Sequence, residues 1–173
     1  MLENGFGEHN IQGIGDKHIP LIHNVMNTDV IAAVSDRVTD ELDVLFNTSA
    51  GRDYLVQRKH IPQEIVDTLP HFGFSAICNT IAAIKTAKLL GLGADDVLIT
   101  IATDGADLYP SERVKTMKKR FNDNFTQVDA AEVFDGGFDE RFHLPRLAGV
   151  AGHAHYVATR CAHLAGECIQ RIL

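Results

Sequence analysis

The chain has 173 residues, of which 45% are hydrophobic and 23% are charged, so it is suited to one packed domain and unlike a disordered chain. Its 23 acidic residues outnumber its 16 basic residues, for a formal net charge of −7, which argues against nucleic acid as the main partner. No apolar run approaches the roughly 20 residues that cross a bilayer, and no N-terminal stretch has the form of a signal peptide, so no membrane partner is expected.

The first half of the chain begins with a glycine-punctuated, loop-like stretch over residues 1–28. The apolar run 29–34 is short and rich in β-branched residues, which predicts a buried strand. Ser35 and Asp36 are favourable N-caps for a helix after that strand. Apolar residues then recur at helical spacing. Helices are predicted over residues 36–47, 50–57 and 62–68.

The second half contains the clearest helical pattern. It is predicted to begin at a Ser75 cap and to stop at Gly91, because glycine readily ends a helix. The run 97–102 predicts a second buried strand, and residues 103–110 predict a loop. Pro110 suits the first turn of the next helix. Its inner face is predicted to hold Val114, Met117 and Phe121.

The order of these elements predicts an α/β fold, an incomplete three-layer α/β/α arrangement around a small parallel sheet. Two parallel strands do not make a self-sufficient core. The remaining strands are therefore expected from an N-terminal half outside these residues or from a second copy of the chain. Residues 1–136 are assigned to this unit. Residues 137–173 are assigned to a divergent helical tail, with one helix over 152–171.

Two loops are candidates for binding chemistry. Gly13 and Gly15 allow backbone to approach a ligand closely, although a plain turn explains this pattern more often. Asp104, Gly105 and Tyr109 follow the carboxyl end of the second predicted strand, where ligands bind in open α/β sheets. A simple turn at Asp104-Gly105 explains that loop equally well.

Metal and thiol chemistry are weakly supported. His153 and His155 lie two residues apart, and Cys161 and Cys168 lie two helical turns apart, so neither pair suits one metal ion. No metal site is therefore expected. Cys78 fits a small buried hydrophobic position. The three cysteines lack the spacing of a disulfide framework, which predicts reduced thiols and a cytoplasmic location.

Four stretches, taken together and in order, carry a family resemblance. They are His9-Asn-Ile-Gln-Gly-Ile-Gly15 followed by Ile19-Pro20, Gly73-Phe-Ser-Ala-Ile-Cys-Asn79, residues 83–93, and residues 100–111. This series resembles the pyridoxal-phosphate-dependent cysteine synthase and cystathionine β-synthase family, over roughly residues 5 to 121.

The resemblance implies a tryptophan-synthase-β-like fold and elimination or replacement at the β-carbon of an amino-acid substrate. The cofactor, pyridoxal 5′-phosphate, serves as an electron sink in such reactions. Cofactor contacts carry over by resemblance to Gln12, Gly13, Ile14, Gly15, Asp104, Gly105 and Tyr109.

Two departures from the family limit what the chain can do by itself. The family's Schiff-base lysine lies upstream of the region resembled here, and its phosphate-binding loop also has no match, so no catalytic residue is assigned. Gly105 stands where the family has the serine that meets the pyridine nitrogen, unless Thr103 or Ser111 replaces that hydroxyl. The expected function is therefore part of a cysteine-synthase-like lyase or synthase that is inactive alone. The alternative is a non-catalytic α/β oligomerisation or binding module derived from one.

Overall fold

The structure, a computed structural model, describes residues 10–11, 29–30, 32 and 34–139. Of these residues, 65% are helical and none belongs to a strand. The predicted α/β fold with a parallel sheet, including the three-layer α/β/α arrangement and the tryptophan-synthase-β-like fold implied by the resemblance, is therefore wrong for the described part of the chain. Residues 12–28 and 140–173, with the glycine loop and the predicted helix over 152–171, lie outside it.

Six α-helices and two short 3₁₀ turns make up the described region. The helices are α1 (Asp36–Asn47), α2 (Ser49–Gln57), α3 (Gln63–Val66), α4 (Phe74–Leu90), α5 (Pro110–Phe121) and α6 (Gln127–Asp139). The 3₁₀ turns cover Leu69–His71 and Ala106–Leu108. The helices predicted over 36–47 and near 50–57 are confirmed, and the one over 62–68 is shorter than predicted.

Helix α1 is the centre of the fold, because α2, α4, α5 and α6 all pack against it. Leu42, Val44 and Leu45 of α1 are at most 1% exposed. Their positions cover more than one stripe of the helix, as expected for a helix with neighbours on several sides. The surrounding helices contribute Leu55, Val66, Ile77, Ala130 and Phe134 to the same core.

Helix α4 starts two residues earlier than the sequence pattern indicates. Its N-cap is Gly73, and Ser75 is fully buried inside the first turn. The prediction that Ser75 caps this helix is therefore wrong. The predicted end is confirmed, since Gly91 adopts the left-handed conformation at φ 63° and its N–H bonds to the carbonyl of Ala87. Glycine enters that region without the steric cost that a Cβ brings.

The run 97–102 is not a strand, although its composition suits one. Val97 is 84% exposed and Ile101 is 47% exposed. The described residues of the first predicted strand, Asp29, Val30, Ala32 and Val34, also belong to no strand. Strand formation needs a neighbouring strand to accept the backbone hydrogen bonds. Helix α6, which was not predicted, packs instead against α1 and α2 and covers the core.

Helix α5 begins at Pro110 as predicted, with proline in its first turn. Its inner face differs from the prediction, because Val114 is 65% exposed while Thr116 is buried. Met117 and Phe121 do pack against the core. In the part of the chain that the structure describes, no helix is both long and apolar enough to cross a membrane.

Candidate functional site

The start of α4 and the loop before α5 meet at a single backbone contact. The N–H of Gly73 donates to the carbonyl oxygen of Asp104 at 2.8 Å. The side-chain amide of Asn79, further along α4, donates to the carbonyl of Ile101 at 2.8 Å. Two of the stretches that carry the family resemblance, residues 73–79 and 100–111, therefore lie side by side.

Only glycine fits at position 73 without displacing its neighbours. A Cβ there would lie 2.8 Å from the Asp104 carbonyl oxygen and 2.9 Å from the Tyr109 ring. Real Cβ atoms do not approach other atoms so closely, because the interior is already packed. The missing side chain of Gly73 is thus what allows the loop to seat on α4.

A tyrosine–carboxylate pair organises the loop. The Tyr109 hydroxyl donates a hydrogen bond to Oδ2 of Asp104. The Thr103 hydroxyl donates to Oδ1 of the same carboxylate at 3.0 Å. The Tyr109 ring also stacks on Phe74, with 4.6 Å between ring centroids. Both carboxylate oxygens of Asp104 therefore have hydrogen-bond partners. Tyr109 is held at its hydroxyl by Asp104 and at its ring face by Phe74.

The pKa values of this pair move in opposite directions. Burial, reinforced by the hydrogen bond to Asp104, raises the pKa of Tyr109 to about 12. Burial opposes ionisation of Asp104, but the hydrogen bonds from Tyr109 and Thr103 outweigh it and lower the Asp104 pKa below its ordinary value. At neutral pH the pair is a neutral phenol bonded to a carboxylate.

Gly105 packs against the 3₁₀ turn Leu69–His71. As a glycine it has no hydroxyl group. A Cβ at this position would lie 3.3 Å from the carbonyl oxygen of Pro70. Thr103 and Ser111 are the two residues whose hydroxyls could replace the family's serine. The Thr103 hydroxyl is hydrogen-bonded to Asp104, and Ser111 is exposed on α5. The pyridine contact of the family is therefore not rebuilt by these side chains.

A buried ion pair fixes the far end of the same loop. The Arg113 guanidinium donates to the Asp43 carboxylate of α1 in a bidentate manner, at 2.8 and 3.0 Å. It also donates to the carbonyl of Ala106 at 3.3 Å. The Asp43 side chain is fully buried. Burial raises the pKa of Asp43, and the hydrogen bonds from Arg113 limit that rise.

The predicted site residues separate into two groups. Asp104, Gly105 and Tyr109 do lie together against the start of α4. Gln12, Gly13, Ile14 and Gly15 lie outside the described residues, so their place beside this loop remains a prediction. The pair of Asp43 and Arg113 was not predicted. The available signal was an acidic residue between two apolar residues, Leu42 and Val44, of a predicted helix.

The fit of pyridoxal phosphate to these residues is partial. Among the described residues, no contact of Gly73, Asp104 or Tyr109 involves a lysine amine. The hydroxyl for the pyridine nitrogen is missing at Gly105. What remains is a close-packed backbone surface beside a partly buried phenol and a carboxylate.

The comparisons with known proteins return nothing that identifies the chain. No family model matches it, and neither the curated proteins nor the solved structures include a significant match.

Removal of the Tyr109 hydroxyl is expected to change the acid stability of the protein. The lowered pKa of Asp104 contributes stability that is present above its ordinary pKa of 3.8 and is lost as the pH falls through the lowered value. Tyr109→Phe removes one of the bonds that lower this pKa. We expect the pKa to rise and the neutral-pH stability to fall by about 1 kcal/mol, a small effect because the pair is partly exposed.

NMR titration of the Asp104 carboxyl carbon measures the pKa directly, and urea unfolding at neutral and acid pH measures the stability. The stability difference between wild type and Tyr109→Phe is expected to shrink under acid conditions, where Asp104 is protonated in both. An Asp104 pKa that is equal in the two proteins would show that the hydroxyl does not stabilise the carboxylate.

Proposed function

We propose that this chain is part of a pyridoxal-phosphate-dependent lyase or synthase that acts at the β-carbon of an amino acid, as cysteine synthases do. The contact between Gly73 and Asp104 supports the proposal most directly. It joins two stretches that resemble the family in sequence and that are remote from each other along the chain. The amino-acid substrate and a polypeptide carrying the Schiff-base lysine are the partners that the proposal requires.

The cofactor, when bound, supplies the electron sink for the carbanion formed at the substrate α-carbon. The residues of this chain have a non-covalent role. The glycine at position 73 keeps the backbone of Asp104 close to α4, and the Tyr109–Asp104 pair holds the shape of the loop. The loop then presents main-chain groups and the phenol ring to one side of a pocket.

Catalysis by this chain alone is not part of the proposal. A covalent imine requires an amine positioned at the cofactor, and electrostatic effects do not replace a missing nucleophile. A cytoplasmic location belongs to the same proposal, since Cys78 is a free thiol and reduced thiols are typical of that compartment.

Borohydride trapping tests the missing amine. We mix the purified chain with pyridoxal phosphate, reduce with borohydride, and locate adducts by peptide mass spectrometry. No site-specific lysine adduct is expected from the chain alone. In a mixture with a polypeptide that carries the N-terminal half of a cysteine-synthase-like enzyme, one adduct is expected, on the lysine of the added polypeptide.

Gly73→Ala is the matched variant, because the added methyl group collides with Asp104 and Tyr109. It is expected to abolish cofactor retention in the mixture. A stoichiometric adduct on one lysine of the isolated chain contradicts the non-covalent role. A mixture in which neither polypeptide retains cofactor contradicts the proposed function.

A non-catalytic binding module is the second candidate. The described helices enclose a core around α1 without a sheet, so this part of the chain does not need a cofactor to account for its packing. Circular dichroism melting separates the two proposals. A melting temperature that pyridoxal phosphate leaves unchanged, in the chain and in the mixture alike, favours the binding module.

A further inference from the structure

The residues 97–102, here called the edge segment, form an uncharged apolar run that belongs to no helix or strand. The chain shows no helix, turn or bend from 96 to 105. Residues 101–104 run back along α4. The Ile101 carbonyl accepts a hydrogen bond from the Asn79 side chain, and the Asp104 carbonyl accepts one from the Gly73 N–H. From Gly73 to Asn79 the helix rises about 9 Å. The three residues from Ile101 to Asp104 span about the same distance when they are extended.

The main chain of the edge segment is almost free of internal hydrogen bonds. Among the described residues, only the carbonyl of Ile101 has a partner, the side chain of Asn79. The Thr100 side chain is also unsatisfied, because its hydroxyl is buried without a hydrogen-bond partner and the residue is only 9% exposed. A hydroxyl that is buried without a partner carries a free-energy cost, which a hydrogen bond relieves.

The edge segment lacks the features that normally protect an exposed strand edge. It contains no lysine, proline or charge, although Val97 is 84% exposed. Leu89 and Leu90, at the end of α4, add two further exposed apolar side chains. An exposed, apolar main chain without strand partners is a surface to which another strand adds by backbone hydrogen bonds.

Acidic residues at both ends determine what kind of strand fits. Asp95 and Asp96 precede the edge segment, and Asp104 and Asp107 follow it. An antiparallel second copy centred on Ile99 and Thr100 places Asp95 opposite Asp104, and like charges directly opposite are destabilising. A strand with basic residues at its ends meets opposite charges at both places.

We propose that the edge segment is a docking site for an extended apolar peptide segment of another polypeptide, flanked on both sides by lysine or arginine. Backbone hydrogen bonds to residues 97–102 supply the affinity, and the flanking aspartates select the basic ends. The inference goes beyond the proposed function and needs no cofactor, so its outcome is independent of pyridoxal phosphate chemistry.

Synthetic peptides test the docking site on the complete chain. One peptide has alternating valine and threonine residues with two lysines at each end. A second has the same centre with glutamates at the ends, and a third has a proline at its centre. Fluorescence anisotropy is expected to show saturable binding of the lysine-flanked peptide, weakened about tenfold or more by either change and weakened by added salt.

Val97→Lys and Val128→Lys form a matched pair of variants. Both replace an exposed valine, at 84% and 69% exposure, but Val128 belongs to α6 and not to the edge segment. We expect Val97→Lys to weaken binding of the lysine-flanked peptide about tenfold and Val128→Lys to leave it unchanged. Circular dichroism confirms that both variants remain folded.

Three results overturn the proposal. They are equal affinities for the lysine-flanked and glutamate-flanked peptides, an equal effect of the two variants, or no saturable binding. Sedimentation that shows a stable dimer of wild type, abolished by Val97→Lys, also overturns it, since the occupant is then a second copy of the chain.

Discussion

Replacing Arg113 with alanine is expected to lower the free energy of unfolding by about 3–5 kcal/mol, because the fully buried Asp43 carboxylate then loses its counter-ion. The guanidinium supplies two hydrogen bonds to that carboxylate and one to the carbonyl of Ala106. Urea unfolding followed by circular dichroism measures the change. Hydrogen exchange at the Gly73 amide is expected to speed up as well, since the loop that carries Asp104 loses its attachment to α1.

Arg37→Ala is the control for this prediction. Arg37 also pairs with an acid, Glu41, but its side chain is 68% exposed, so the expected loss is below about 1 kcal/mol. A double variant, Asp43→Leu with Arg113→Met, is expected to recover most of the stability because no unpaired charge stays buried. A loss from Arg113→Ala as small as that from Arg37→Ala would show that the Asp43 pair does not stabilise the core.

Gly51→Ala is expected to destabilise the protein by at least about 3 kcal/mol. A Cβ at Gly51 would lie 2.0 Å from the carbonyl oxygen of Leu45 and 2.8 Å from its carbonyl carbon. Both are main-chain atoms of α1, which cannot move aside as a flexible side chain can. Helices α1 and α2 must therefore separate, although both contribute to one core. Thermal and urea unfolding measure the loss.

Gly136→Ala is the matched control, since Gly136 also lies within a helix but a Cβ there meets nothing within 4 Å. Alanine has the higher helix propensity, so this substitution is expected to stabilise the protein by up to about 1 kcal/mol. The two substitutions are chemically identical and are expected to act with opposite sign. A Gly51→Ala protein as stable as wild type would contradict the close approach of α1 and α2.

Three sets of helix limits were predictable because they depend on short-range chemistry. Pro110 favours the first turn of α5, and Gly91 ends α4 in a left-handed conformation. Periodic apolar residues also located α1 at its observed limits, Asp36–Asn47. The cap of α4 was misplaced at Ser75, since a serine that favours an N-cap in isolation is buried here by the packing of the first turn.

The candidate site was predictable only in part. Asp104, Gly105 and Tyr109 were singled out because they follow an apolar run, and they do lie together against α4. Their ionic support was not foreseen, because Asp43 and Arg113 are distant in sequence and neither belongs to a recognisable motif. Long-range ion pairs depend on how helices pack, which local residue patterns do not specify.

The amino-acid sequence by itself determined the limits of α1, the end of α4 and the start of α5, and it indicated that residues 97–102 favour an extended course. Tertiary structure decided that this segment pairs with no strand among the described residues and that α6 closes the core. The physical reason is that a helix satisfies its backbone hydrogen bonds within its own residues, whereas a strand depends on a neighbour. The same reason underlies the docking site that we propose for the edge segment.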